Sequence, residues 1–245
     1  MNIPPHIRKI LEEIKGSGYE AFVVGGCVRD LLMKKEPKDW DITTNALPNQ
    51  ILSIFPQAKY ENDFGTVLLP FRSEPEVRGE KGALKDVVEI TTYRSEKGYS
   101  DRRHPDEIRF ETELNKDLER RDFTVNALAL NPLEEVEIVD LFGGQKDIKE
   151  KILRAVGEPT DRFKEDALRM MRAVRFSAQL DFELEPKTQR AIVKLAGSLK
   201  FVSKERIRDE LIKILSSDRP SEGIMMLHEC KLLQYIFPEL EQGIG

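Results

Sequence analysis

The chain has 245 residues, a formal net charge of −5 and a mean hydropathy of −0.45. Hydrophobic residues make up 40% and charged residues 34%, which supports a buried core under a charged surface and excludes a global positive field that would draw nucleic acid. Cys27 and Cys230 show no metal-ligand spacing and read as free buried thiols, and neither a secretory signal nor a membrane-spanning apolar run is visible, so a soluble cytoplasmic protein is expected.

In chain order, Ile7 to Ile14 reads as an amphipathic helix after Pro4-Pro5. Ala21 to Val24 reads as a strand ending at Gly25-Gly26. Lys38 to Thr43 reads as the next strand, and alternation would put Asp39 and Asp41 on one face with Trp40 on the other. Pro48 to Phe55 fits a helix with Pro in its first turn. Thr66 to Phe71 and Val87 to Tyr93 read as strands. Between them, the charged segment Arg72 to Lys85 reads as a surface loop or insertion. Tyr93 to Pro105 is polar, contains Gly98 and reads as a mobile loop. Val136 to Val139 is a further strand. From about Gly144 the pattern turns helical, over Asp161 to Phe176, Pro186 to Leu195, Ser203 to Leu215 and Ser221 to Leu227. The expected division is an α/β head over residues 1–140, a helical neck over 141–200 and the start of a helical body over 201–245.

Two carboxylates spaced about 7 Å along one strand face can share divalent metal ions. Asp39 and Asp41 are therefore candidate metal ligands, and hard oxygen donors suit Mg²⁺. Glu89, on the strand Val87-Val88-Glu89-Ile90-Thr91, is a candidate third carboxylate; the plainer alternative is an edge-strand Glu in solvent. Gly25-Gly26 running into a short helix offers backbone N–H groups to phosphates, and Arg29 adds charge near them. The alternative for Arg29-Asp30 is a surface ion pair. Metals beside a phosphate cradle point to phosphoryl or nucleotidyl transfer.

Joined in this order, G-G-x-V-R-D (residues 25–30) and D-x-D (residues 39–41) resemble the nucleotide-binding motif of the polymerase-β-like nucleotidyltransferases. The likeness is to the bacterial-type class II tRNA nucleotidyltransferases and the related bacterial poly(A) polymerases. Two later motifs fit the same family, the R-R-D motif in Arg120-Arg121-Asp122-Phe123-Thr124-Val125-Asn126-Ala127 and the E-D-x-x-R motif in Glu165-Asp166-Ala167-Leu168-Arg169-Met170-Met171-Arg172-Ala173-Val174-Arg175. The resemblance implies a polymerase-β-like sheet, followed by helices. It implies Mg²⁺-dependent transfer of C and A from CTP and ATP to the tRNA 3′ end, with release of pyrophosphate. In that family Arg121 would contact the nucleotide and Asp122 the ribose hydroxyl. Asp166 and Arg169 would read the Watson–Crick edge, and Arg172 and Arg175 would add contacts.

Read as one helix, Asp161 to Phe176 puts Phe163, Ala167, Met170, Met171 and Val174 on an apolar stripe. Arg162, Glu165, Asp166 and Arg169 then share another face, where Asp166 and Arg169 are neighbours. A common helix-surface ion pair is the alternative. An Asp–Arg pair would accept the amino donor and ring acceptors of cytosine or adenine, and reject the carbonyl of guanine or uracil. The full-length loop after Tyr93 resembles members that add the final A. Asp140 to Gly144 resembles their head–neck hinge, or is an ordinary turn. Lys200, Lys204, Arg206, Arg208 and Lys213 are candidates for following an RNA backbone. Such relatives continue into further helical regions, so this chain reads as a shortened or partial form. The competing expectations are poly(A) synthesis, a CC-only or A-only adder, and a tRNA-binding remnant without catalysis.

Overall fold

The computed structural model describes residues 1–61, 64–72, 84–99, 105–133 and 137–243. The chain forms two compact units. One gathers Met1–Ser95, Ile108–Arg121 and Val125–Gln145; the other gathers Glu96–Glu107, Asp122–Thr124 and Lys146–Gly245.

The chain opens with α1 (Pro5–Gly16), whose Ile7, Ile10, Leu11 and Ile14 recur at helical spacing and are buried. Then come β1 (Ala21–Val24), α2 (Gly26–Leu32), β2 (Asp41–Thr44), α3 (Pro48–Ile54), β3 (Lys59–Tyr60), β4 (Thr66–Arg72) and β5 (Leu84–Thr92). The strands β6 (Arg94–Lys97) and β7 (Glu107–Phe110) pair as a ribbon. They are followed by α4 (Leu114–Glu119), β8 (Leu128–Asn131) and β9 (Glu137–Asp140).

Seven strands form one sheet in the order β3-β4-β5-β2-β1-β8-β9. Strands β2 and β5 run parallel, with Asp41 opposite Glu89 and Ile42 opposite Ile90. The other pairings are antiparallel. The central strands are buried through Val23, Val24, Ile42, Val88 and Ile90, as strands covered on their faces should be. Leu114 and Leu118 of α4 pack with Val24, Tyr93 and Ala129, which fixes α4 against the sheet.

The second unit contains α5 (Gly144–Glu150), β10 (Ile152–Leu153), α6 (Pro159–Glu165), α7 (Leu168–Leu180), β11 (Glu183–Leu184) and α8 (Pro186–Leu195). It ends with α9 (Lys204–Leu215), α10 (Pro220–Glu229), α11 (Leu233–Ile236) and α12 (Pro238–Gln242). Helix α7 packs on α9 and α10, and α6 packs on α8.

Several expectations change. The acidic strand begins at Asp41, not Lys38; after Pro37 the chain bends at Lys38 and Asp39. Asp161 to Phe176 is two helices, not one, and Asp166 has extended backbone at the break (φ −143°, ψ 107°). The short strands β10 and β11 interrupt the region read as wholly helical. Part of the expected Tyr93 to Pro105 loop is the strand β6, and Tyr93 itself is fully buried. Residues 100–104 of that loop, 73–83 of the Arg72 to Lys85 segment, and Val136 lie outside the described residues.

Candidate functional site

In the first unit the site starts at Gly25. Its φ of +84° is a left-handed value that glycine adopts without a Cβ clash. Its N–H donates to the Leu128 carbonyl at 3.0 Å, tying the turn to β8. A Cβ at this position would lie 3.0 Å from Arg121 Nη1 and 3.7 Å from Asp41 Oδ2. The absent side chain therefore lets a metal-type carboxylate and a guanidinium converge on one stretch of backbone.

Asp41 is half-buried at the head of β2, and Asp39 is exposed in the preceding bend. The two acids thus approach from different backbone settings, not as alternate positions of one strand. Trp40 between them is buried, 5% exposed. Glu89 stands in register with Asp41 on the adjacent strand. Its strand lies between β4 and β2, so Glu89 is not on the sheet edge, but its side chain is exposed to solvent, and Val88 and Ile90 fill the opposite face. Burial pushes the Asp41 carboxyl up, Arg121 partly offsets this, and Asp39 adds to it. Partial desolvation of the exposed Glu89, then the charges of Asp41, Glu61 and Asp39, pushes its carboxyl up as well. Acids that raise one another's proton affinity form a site that a cation relieves. Among the described residues no three His, Cys, Asp or Glu side chains already close on a single point. Two carboxylates still fit Mg²⁺, which keeps waters and takes substrate phosphates as its remaining ligands.

Arg29 is 8% exposed. It donates to Asp30 Oδ1 from Nε (2.9 Å) and Nη2 (2.7 Å), and from Nη1 to Asn126 Oδ1 (2.6 Å). Its guanidinium also lies along Gly26, 3.5 Å from where a Cβ would sit. The ion pair with Asp30 is real but joins sequence neighbours and is part-buried; the buried bond to Asn126 is what joins α2 to that segment.

Arg121 is held by Asp117, whose Oδ2 accepts from Nη2 at 3.1 Å. Asp117 is fully buried. Burial alone would raise its pKa, but Arg120 and Arg121 hold the carboxyl down at about 2. Asp117 falls in no sequence motif, and Asn126 belongs to the Arg120 to Ala127 motif without a role of its own. The signal for Asp117 was its spacing, three and four residues before Arg120 and Arg121. The Cys27 thiol is pushed up to about 11 by burial, so it is inert at neutral pH.

In the second unit Asp122, Asp166, Arg169, Arg172 and Arg175 are each tied to a counter-charge. Asp122 Oδ1 accepts its neighbour Phe123's N–H at 2.8 Å, and Oδ2 accepts from Arg172 Nε (2.9 Å) and Nη2 (2.6 Å). Arg175 is buried and pairs with Glu210 at 2.9 Å. It also lies over the Phe176 ring, 4.3 Å from the centroid.

Asp166 and Arg169 do not pair with each other as the single-helix reading expected. Asp166 sits at the helix break, where Oδ1 accepts the Leu168 N–H at 3.0 Å. An Asp that caps a helix start favours a new helix over continuation of the old one. Arg206 of α9 grips the same carboxylate, Nη1 to Oδ1 at 3.3 Å and Nη2 to Oδ2 at 2.7 Å. Arg169 Nη1 donates to Glu165 Oε2 (2.5 Å) and to the Arg162 carbonyl (3.2 Å). The apolar stripe holds despite the break, since Phe163, Ala167, Met170, Met171 and Val174 are all buried. Among the basic residues of the later helices, Arg208 pairs with Asp209 at 3.0 Å and Lys213 with Glu210 at 3.4 Å. The Asp140 carboxylate caps the Gly144 and Gln145 N–H groups at 2.8 and 2.9 Å, which gives the Asp140 to Gly144 turn its geometry.

Comparison with known proteins adds the following. A family model described as the poly A polymerase head domain matches residues 21–154. A second, described as the probable RNA and SrmB-binding site of polymerase A, matches residues 181–244. The CCA-adding enzyme of Limosilactobacillus reuteri is 43% identical over 237 residues, covering 96% of this chain and 55% of that protein. That of Enterococcus faecalis is 42% identical over the same shares. The crystal structure of the Bacillus stearothermophilus CCA-adding enzyme in complex with CTP superposes with a TM-score of 0.83 at 37% identity, over 98% of this chain and 56% of that one. The Thermotoga maritima CCA-adding enzyme complexed with tRNA-CCA gives a TM-score of 0.77 at 27% identity, over 97% and 54%. The chain therefore spans about half the length of the relatives it matches. The expected α/β head with a polymerase-β-like sheet, followed by a helical region, is the fold observed. On this sequence match and this fold, the chain belongs to the poly A polymerase head-domain family, and within it most resembles the CCA-adding enzymes.

Proposed function

We propose that this chain carries the nucleotide-adding machinery of a tRNA nucleotidyltransferase that extends the tRNA 3′ end with C and A from CTP and ATP. The observation that carries the reading is the approach of Asp41 and Arg121 to Gly25, with Glu89 in register beside Asp41. The relatives named for CCA addition, and those solved with CTP and with tRNA-CCA, support it.

Asp41, with Asp39 and Glu89, would hold divalent metal, taken as Mg²⁺. When bound, it supplies activation of the 3′-hydroxyl and neutralises the charge on the leaving pyrophosphate. The remaining work falls to the chain itself. The Gly25-Gly26 backbone lets the triphosphate approach closely. Arg121 donates to phosphate oxygens. The 3′-oxygen then bonds to the α-phosphorus as the α–β bridge breaks and pyrophosphate departs. Asp122, oriented by Arg172, would accept from the ribose hydroxyl.

Base choice rests on Asp166 and Arg169. A carboxylate offers about four lone-pair sites. Leu168 and Arg206 occupy three at Asp166, and the remaining one accepts an exocyclic amino group. Cytosine and adenine present that donor; uracil and guanine present an oxygen instead. Arg169, braced by Glu165, donates to the ring acceptors. Arg175 is assigned to bracing α9 through Glu210 more than to direct contact. We further read residues 1–140 as the catalytic head, 141–200 as the nucleotide-selecting neck and 201–245 as the start of a helical body, in a cytoplasmic enzyme.

Poly(A) synthesis is the second reading, and the family description is what favours it. Labelled CTP, ATP, GTP and UTP supplied with Mg²⁺ to tRNA transcripts lacking CCA, ending in C, or ending in CC separate the cases. C, C and A in order, then arrest, is the expected result. Long A tails would establish poly(A) synthesis, and C alone or A alone a specialised adder. Binding of tRNA without incorporation by the folded chain would overturn the catalytic reading.

A further inference from the structure

We propose that Asp117 is a positioning residue that holds the Arg121 guanidinium off Asp41, leaving Asp41 open to a divalent cation and Arg121 available to phosphate. This rests on the reading of Asp41 as a metal ligand.

A fully buried carboxylate is costly unless it is paired. Asp117 is such a group, in α4 and at 0% exposure. Its Oδ1 accepts from Arg120 Nε and Nη2 at 3.0 and 2.6 Å. Its Oδ2 accepts from Arg121 Nη2 at 3.1 Å and from Thr43 Oγ1 at 3.3 Å. Thr43 lies on β2, two residues beyond Asp41. One buried charge therefore ties the arginine pair to the acidic strand itself.

The other end of Arg121 shows what the tether prevents. Nη1 is 3.0 Å, and Asp41 Oδ2 is 3.7 Å, from the same point beside Gly25. Among the described residues Nη1 is held there only by a long bond to the Asn126 carbonyl, 3.5 Å, and a rotation that gives up this bond would turn the guanidinium toward the carboxylate. Arg–carboxylate pairs are among the strongest that side chains form, so a guanidinium on Asp41 would compete directly with a metal. Among the described residues, Asp117 is the acid that forms an ion pair with Arg121. Removing the charge of Asp117 leaves Asp41 as the next acid within reach.

The test is Mn²⁺ binding to the whole chain without nucleotide, read from loss of the free-ion electron paramagnetic resonance signal. Asp117→Asn should weaken Mn²⁺ affinity by about tenfold or more, the scale of a new charge-assisted pair. Adding Arg121→Gln should restore the affinity to wild type or better, since the competing cation is gone. A purely structural role for Asp117 would leave the double variant as weak as the single one, and that result overturns the proposal. Wild-type affinity in folded Asp117→Asn overturns it too. Should Asp117→Asn not fold, Asp117→Asn with Arg120→Gln leaves Arg121 as the one freed guanidinium and should show the same loss. Asp41→Ala is the control for the underlying reading. Undiminished Mn²⁺ binding there removes the metal assignment and the proposal with it, whereas loss there with wild-type binding in Asp117→Asn rejects the tether alone.

Discussion

Replacing Asp166 by Asn separates its two roles, helix cap and base reader. The substitution keeps shape and one acceptor but exchanges the other oxygen for an N–H donor. If the introduced oxygen keeps the Leu168 N–H, the amide nitrogen faces Arg206 Nη2, which now sits 2.7 Å from Oδ2. Two donors then oppose each other and a charge-assisted bond is lost, a cost of roughly 1.5–3 kcal/mol. The pair is partly exposed, 24% for Arg206 and 15% for Asp166, so the net loss is nearer about 1–2 kcal/mol. For a chain of this size that lowers Tm by roughly 2–8 °C. The effect on nucleotide choice is separate. Loss of the acceptor for an amino group should cut the preference for CTP and ATP over UTP and GTP by roughly 10–100-fold. The assay is competition among the four nucleotides for one tRNA transcript, read as kcat/KM, beside a thermal melt. A lowered melt with unchanged preference would make Asp166 a cap only and refute the base-reading argument.

Other perturbations give further expectations. Asp41→Ala should abolish incorporation without lowering Tm, because burial already disfavours that charge; retained incorporation would remove its catalytic role. Gly25→Ala forces a Cβ into a left-handed position 3.0 Å from Arg121 Nη1. It should cost about 1–2 kcal/mol in stability and raise nucleotide KM, measured by melts and initial rates. Asp117 is held at about 2 against an ordinary 3.8. Its depressed pKa therefore contributes roughly 2 kcal/mol of stability that is full above pH ~4 and lost as pH falls toward ~2. Asp117→Asn should flatten that limb of the acid-unfolding curve. Asp41 and Glu89 are shifted the other way, so Mn²⁺ binding should fade on acidification at a pH above the usual carboxylate range, as titration of Mn²⁺ affinity against pH would show.

Much of this was legible in the sequence, and the failures have physical reasons. The diglycine turn into a helix and the apolar stripe through Met170 and Met171 follow from local chemistry and periodicity. The strand at Asp41 starts later than the residue pattern suggests, because the bend at Lys38 and Asp39 leaves no local mark in residue types that a strand also tolerates. The break at Asp166 was missed because its neighbours are good helix formers; the Leu168 N–H took the side chain as a cap. The partner of Asp166 lies forty residues on, at Arg206, and no periodicity connects them. Glu89 was found as an acid on a strand, but its place beside Asp41 depends on a parallel pairing that only the sheet order reveals. No motif marks Asp117, and a lone Asp in a charged stretch ordinarily faces water.

The strand order has a consequence for how the molecule is made. Val23 of β1 pairs with Ile42 on one side and Leu130 on the other, and β2 waits for β5 on its far side. As the chain leaves the ribosome, β1 and β2 can pair early across the intervening α2, but both outer edges of that strand pair stay open until distant segments have been synthesised. Exposed edges invite pairing with other chains, and contacts so far apart in sequence form slowly. Asp39 and Asp41 are therefore made before the strand that brings Glu89 beside them, and until then the strand pair bearing Asp41 has open edges that need shielding.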